Sequence, residues 1–208
     1  KIAHAATNGD VLVCAQSPGT VEAHAAVSPE PMAFARPVSG ALFVVTDFGA
    51  SPTNADNAAA FQAALNAAGR NAGGGTVYVP AGLYAFRGGL AVPSGVELRG
   101  CFDVPHHTVS AGSVLLVYPG RGVEDGAPFV GLKENSGLRG LTFWYPEQPL
   151  KEPVPYPWTV RSLGKGCWLT DVTIGNAWQG VDFGSHRSDG HRISYLAGSM
   201  YRRGLFVG

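Results

Sequence analysis

From Thr76 to Val207 the chain is a succession of strand-length segments, recurring about every 22 residues, behind a single helical stripe. That recurrence limits the fold more than any one motif does. A unit of this size buries too little apolar surface alone, so units must stack and share one continuous core. Two kinds of segment alternate. Gly137 to Phe143, Cys167 to Ile174 and His191 to Leu196 are of one kind. The other kind begins at residues 129, 158, 180 and 204, so that successive steps are 29, 22 and 24. Within the first kind, Leu-x-x-Leu-x-Phe and Leu-x-x-Val-x-Ile turn alternate residues inward. A leucine-rich repeat has a similar period, but would carry Asn or Cys at a fixed place in each unit, and none is seen.

The helical stripe precedes this ladder. Asn54 or Asp56 offers a capping oxygen, and Ala58, Phe61, Leu65 and Ala68 then fall on one face, with Gly69 as a stop. So short a helix is marginal alone in water and needs an apolar surface under Phe61 and Leu65. The open end of a β-solenoid is such a surface. The expected fold is therefore all-β: a right-handed parallel β-helix with one short N-terminal capping α-helix.

Composition fits this reading. Gly is 29 of 208 residues, about twice the usual share, and charged residues are 14%, well under the usual ~25%. Tight turns between stacked strands need the first and tolerate little of the second. Lys+Arg 15 balances Asp+Glu 15, which leaves no electrostatic case for nucleic acid or an anionic membrane as partner. No apolar run reaches the ~18 residues of a membrane span. Cys14, Cys101 and Cys167 lie far apart without metal-ligand spacing. They read as three separate small hydrophobes, with one disulfide open to a secreted protein. Residues 1–42 differ in texture, rich in Ala and Pro without a period, and read as an extended lead-in or the end of a preceding domain. Residues 43–208 read as the N-terminal part of the β-helix. The last segment, Gly204 to Gly208, is a strand in mid-ladder, so another chain or a further segment is expected to complete the coil stack.

Four stretches carry a resemblance to a known group: Thr46-Asp47-Phe48-Gly49-Ala50, the helix with Phe61-Gln62-Ala63-Ala64-Leu65, Gly74 to Tyr84, and Val92 to Gly100. Together they resemble the opening of the pectate-lyase superfamily, and within it polygalacturonase-related parallel β-helix proteins. Leu141 to Gln148 and Pro153 to Trp158 resemble a segment of bacterial β-helix proteins described only as glycosyl-hydrolase-related. The resemblance implies the fold and a polysaccharide or oligosaccharide partner in a secreted setting. It leaves the reaction open, because hydrolases, lyases, epimerases and phage tailspikes share the fold. The polygalacturonase signature (an Asn-Thr-Asp triplet, an Asp-Asp pair and a Gly-His-Gly) does not occur here, so none of that family's catalytic residues carries over. No cofactor is expected; calcium stays open but has no support in the sequence.

Candidate chemistry follows from spacing. The 29-residue step exceeds the 22-residue step by about seven residues, and the excess is a loop from Tyr145 to Pro157, between Trp144 and Trp158. With its prolines, Tyr145, Glu147 and Tyr156 it reads either as the wall of a glycan groove or as an insertion covering a coil edge. Trp178 lies in the matching turn one coil later. Asp171, Asp182, His186, Asp189 and His191 form the densest titratable run. Coils stack about 4.8 Å apart, so Glu147 and Asp182 can meet across one step, as a glycosidase pair requires. Glu147, Asp182 and Asp171 are thus the candidate catalytic acids. Trp144, Tyr145, Tyr156, Trp178, His191 and Arg202 are the candidate substrate contacts, each with a structural role as its plain alternative. The expected activity is hydrolysis of a polysaccharide along the outer groove. The alternatives are a lyase abstracting a proton beside a uronate carboxylate, for which Arg202 and Arg203 are the late basic pair, or a non-catalytic carbohydrate-binding or tailspike-like module.

Overall fold

The computed structural model describes residues 41–101, 111–186 and 189–208, together with the backbone of two short strands near the N-terminus. Contacts divide the chain into two units, Lys1–Pro37 and Val38–Gly208. In the first unit β1 (His4–Ala5) pairs antiparallel with β2 (Val11–Leu12). Most of the expected lead-in, and Cys14, lie outside the described residues.

The second unit is a parallel β-helix. Its strands are β3 (Ala41–Val44), β4 (Gly75–Val79), β5 (Gly82–Phe86), β6 (Leu90–Val92), β7 (Val96–Gly100), β8 (Ser113–Val117), β9 (Val130–Leu132), β10 (Gly137–Arg139), β11 (Leu141–Trp144), β12 (Trp158–Ser162), β13 (Trp168–Asp182) and β14 (Arg192–Phe206). They pair in three parallel ladders. The first runs β3–β4–β7–β10 and on to the starts of β13 and β14. The second runs β5–β8–β11 to the middles of β13 and β14. The third runs β6–β9–β12 to their ends. Each coil takes one strand from each ladder. The two kinds of segment read from the sequence are, respectively, the first two ladders and the third.

The core is the inward column of each ladder. Val77, Leu98, Leu138 and Leu169 are fully buried and in register on successive coils of the first ladder. Val130, Val160 and Val181 do the same on the third. Corners between ladders demand left-handed backbone. Between the first and second ladders that residue is Gly140 (φ 63°), then Asp171 (φ 53°), then Tyr195 (φ 63°). Glycine has no Cβ penalty there, and Asp is among the few others that tolerate it.

The helix α1 (Ala58–Arg70) closes one end, with Phe61, Ala64, Leu65 and Ala68 buried. Phe61 meets Tyr84 and Phe86 edge-on, at 5.4 and 4.8 Å. Phe86 meets Phe129 at 5.4 Å, and Phe129 meets Phe143 at 6.0 Å. A column of rings thus runs from the helix through three coils, and edge-to-face pairs of this kind add to simple burial. Two local expectations need correction. Asp56 does serve the helix start, since its Oδ1 accepts from the Ala58 amide at 3.0 Å, and also from that of Arg87. Gly69, however, does not stop the helix; it lies inside, where any Cβ would collide with Pro93. The cysteines are not three separate hydrophobes either. Cys101 is disulfide-bonded, while Cys167 is a buried free thiol whose pKa burial pushes up to about 11.

Candidate functional site at the second-to-third corner

The fourth and fifth coils turn their corners almost without loops, because β13 and β14 run through all three ladders. The second and third coils instead throw out residues 118–129 and 145–157 between the second and third ladders. Prolines and short hydrogen bonds stiffen both loops. The Gly122 amide donates to the Pro155 carbonyl at 2.8 Å, and Pro157 packs where Gly120 and Gly126 leave room. Asn176 (φ 56°) fixes the loop from below, its Nδ2 donating to the carbonyls of Tyr145 and Gln148.

The two loops cross. Glu147, from the third coil, reaches back to Arg87 of the first coil at 4.0 Å, and both are about half exposed. The Arg87 guanidinium lies 3.9 Å over the Tyr118 ring, a cation–π contact that fixes its direction. Arg121 donates to the Glu147 backbone carbonyl at 3.4 Å. Glu124, from the second coil, reaches forward: Trp178 Nε1 donates to its Oε2 at 3.1 Å, and Arg202 lies 3.7 Å from its Oε1. Gln179 Nε2 donates to the Glu124 carbonyl at 3.1 Å. Beneath the loops opens a cleft of about 280 Å³, lined by Gly89, Pro119, Gly120, Val123, Gly126 to Phe129, Tyr145 and Pro157. In the chain Tyr118 and Arg121 adjoin the lining residues Pro119 and Gly120, while Arg87 and Glu147 lie two residues from Gly89 and Tyr145.

The sequence-derived candidates separate here. Glu147 stands at the rim as an available carboxylate. Trp178 and Arg202 come together through Glu124, a residue the sequence reading missed along with Arg87, Tyr118 and Arg121. Tyr145 and Tyr156 do not face solvent. Both are fully buried, their rings edge-on at 4.9 Å, and the Tyr145 hydroxyl is paired with Thr159 Oγ1 at 2.8 Å. Burial raises the pKa of Tyr156, Glu147 raises it further, and the nearby Arg121 lowers it. Trp144 lies flat where Gly175 of the next coil leaves space for it.

Asp182 does not meet the Glu147 site. It is fully buried and held by Arg161 Nε at 2.7 Å and by the amides of Gly184 and Ser185. Burial alone would raise its pKa, but the hydrogen bonds from Ser185, Arg161 and Gly184 prevail and hold it below the usual carboxylate range. It therefore stays charged and is a poor proton donor. Asp171 sits at a different corner, its pKa raised by burial with Arg139 pulling it down. His191 belongs to a third corner, where its Nδ1 accepts from the Cys167 amide at 3.1 Å and its ring lies 4.5 Å from Phe183. Among the described residues no group of three or more His, Cys, Asp or Glu is placed to hold a metal ion, and no helix is long and apolar enough to cross a membrane.

A family model described as "Rhamnogalacturonase A/epimerase, pectate lyase-like" matches residues 42–147. The mannuronan C-5 epimerase AlgE4 A-module of Azotobacter vinelandii superposes with a TM-score of 0.53 at 22% identity, over 79% of this chain and 46% of that one. The AlgE6 A-module from the same organism gives 0.37 at 20% identity, over 80% and 50%. ORF18 of Geobacillus virus E2 gives 0.46 at 17% identity, over 64% and 25%. The chain spans half or less of each of these structures. No curated protein matches it. At these identities the superpositions speak to the fold alone.

Proposed function

Because the chain belongs to the rhamnogalacturonase A/epimerase, pectate lyase-like family, we propose that it is part of a carbohydrate-active enzyme that binds a polysaccharide across the crossed loops and cleaves it by hydrolysis. The reading is supported above all by Glu147, half exposed between Arg87 and Arg121 at the rim of a stiff cleft. In this reading Glu147 is the acid that serves the glycosidic oxygen as the bond breaks, and Glu124 is the second carboxylate. The arginines orient the sugar and favour an acidic chain.

A second reading is favoured by a specific observation. Two guanidinium groups flank Glu147, and cations so placed would neutralise a uronate carboxylate and ease loss of the adjacent proton, by elimination or by epimerisation. Incubation with a panel of plant, algal and microbial glycans separates the cases. New reducing ends without ultraviolet absorbance indicate hydrolysis. Absorbance of an unsaturated product indicates elimination, and altered uronate stereochemistry at constant chain length indicates epimerisation. Activity that survives unchanged in Glu147→Gln and Glu124→Gln variants would remove this site from the reaction.

A further inference from the structure

The cleft below the crossed loops offers a guest no side-chain hydrogen bond. Its lining is glycine, proline, alanine, valine and phenylalanine, and the hydroxyl of its one polar residue, Tyr145, is already engaged by Thr159. The nearby ladder amides are spent as well: Leu90 donates to Phe129 O at 2.7 Å, and Phe129 donates to Trp158 O at 3.0 Å. A hydroxylated sugar ring entering such a space would lose hydrogen bonds to water and find no free side-chain partner. The rim carries the opposite character, with the cations Arg87 and Arg121 around Glu147.

We propose that this cleft is a specificity pocket for a methyl-terminated substituent, such as an O-acetyl group or a methyl ester, carried by an acidic polysaccharide whose charged backbone lies across the arginine rim. The inference rests on the functional reading above and deepens it: the rim selects charge, and the well selects decoration. Val123, half exposed at the mouth, is the gate. A larger side chain there fills the well from outside, without entering the coil stack.

The test measures binding of the full chain, by calorimetry, to polygalacturonate and mannuronan, and to the partly O-acetylated and partly methyl-esterified form of each, whose remaining carboxylates keep the backbone charged. Apolar pockets discriminate one added carbon by about tenfold or more, so the wild type should prefer one decorated form by about that factor. Which form is preferred identifies the source of the methyl group. Val123→Trp should erase the preference by weakening the decorated chain most, whereas Val123→Ala should keep it. Equal affinity for decorated and undecorated chains, or equal weakening of both by Val123→Trp, would overturn the pocket while sparing the wider reading. Failure to bind any acidic glycan would overturn both.

Discussion

Two carboxylate–guanidinium pairs stand on neighbouring coils and have opposite fates. Asp182 and Arg161 meet at 2.7 Å with the acid fully buried, whereas Glu147 and Arg87 meet at 4.0 Å with both side chains about half in water. From sequence the two acids look alike. The contrast shows that on a stacked-coil scaffold the availability of an acid is set by what the next coil and the next turn supply. Arg161 and the amides of Gly184 and Ser185 enclose Asp182. Glu147 is met instead by the Arg87 guanidinium, itself half exposed.

The largest expected effect tests the buried pair. Arg161→Ala leaves a charged carboxylate without its partner and should cost about 3–5 kcal/mol of stability, read from denaturant unfolding. A loss under about 1 kcal/mol would erase the distinction between the pairs. Next, Glu147→Gln should lower turnover by at least about 10² while changing stability by less than about 1 kcal/mol; unfolding and product assays on one preparation check both. Third comes pH. The depressed pKa of Asp182 makes its contribution complete above the unfolded carboxylate value, and this is lost as pH falls through the folded value. Melting temperature should therefore drop on acidification below about pH 4, and Asp182→Asn should flatten that drop. The smallest effect has the reverse sign. Asp171 has a raised pKa, so its ionised form opposes folding at neutral pH, and its backbone is left-handed. Asn suits that backbone and carries no charge, so Asp171→Asn should stabilise by roughly 0.5 kcal/mol at pH 7.

The tube itself was legible because its signals are local. Phe61 and Leu65 sit on one helical face, Leu138, Leu169 and Ile193 recur coil by coil, and the long step before Trp158 marks a loop that the structure indeed throws out. Side-chain direction at corners was not legible. Tyr145 follows a strand but lies past its last alternating residue, so period two no longer governs it, and its partner Thr159 is fixed only by folding. Alternation did turn Asp182 away from Val181, yet could not show that Arg161, 21 positions earlier, would close over it. Glu124 was invisible for the same reason, since Trp178 lies 54 positions away. Burial of Asp182 and of both tyrosines thus came from non-local contacts that no window of sequence contains.

The crossed loops also bear on how the molecule comes apart. A simple solenoid is coupled only between adjacent turns, and can fray from one end while the other stays intact. Here Glu147 ties the third turn to the first, and Glu124 ties the second to the fourth and fifth. Together with the bonds from Asn176 and Gln179 into the same loops, these ties should make opening in the middle of the stack less graded than in a simple solenoid, as read by hydrogen exchange.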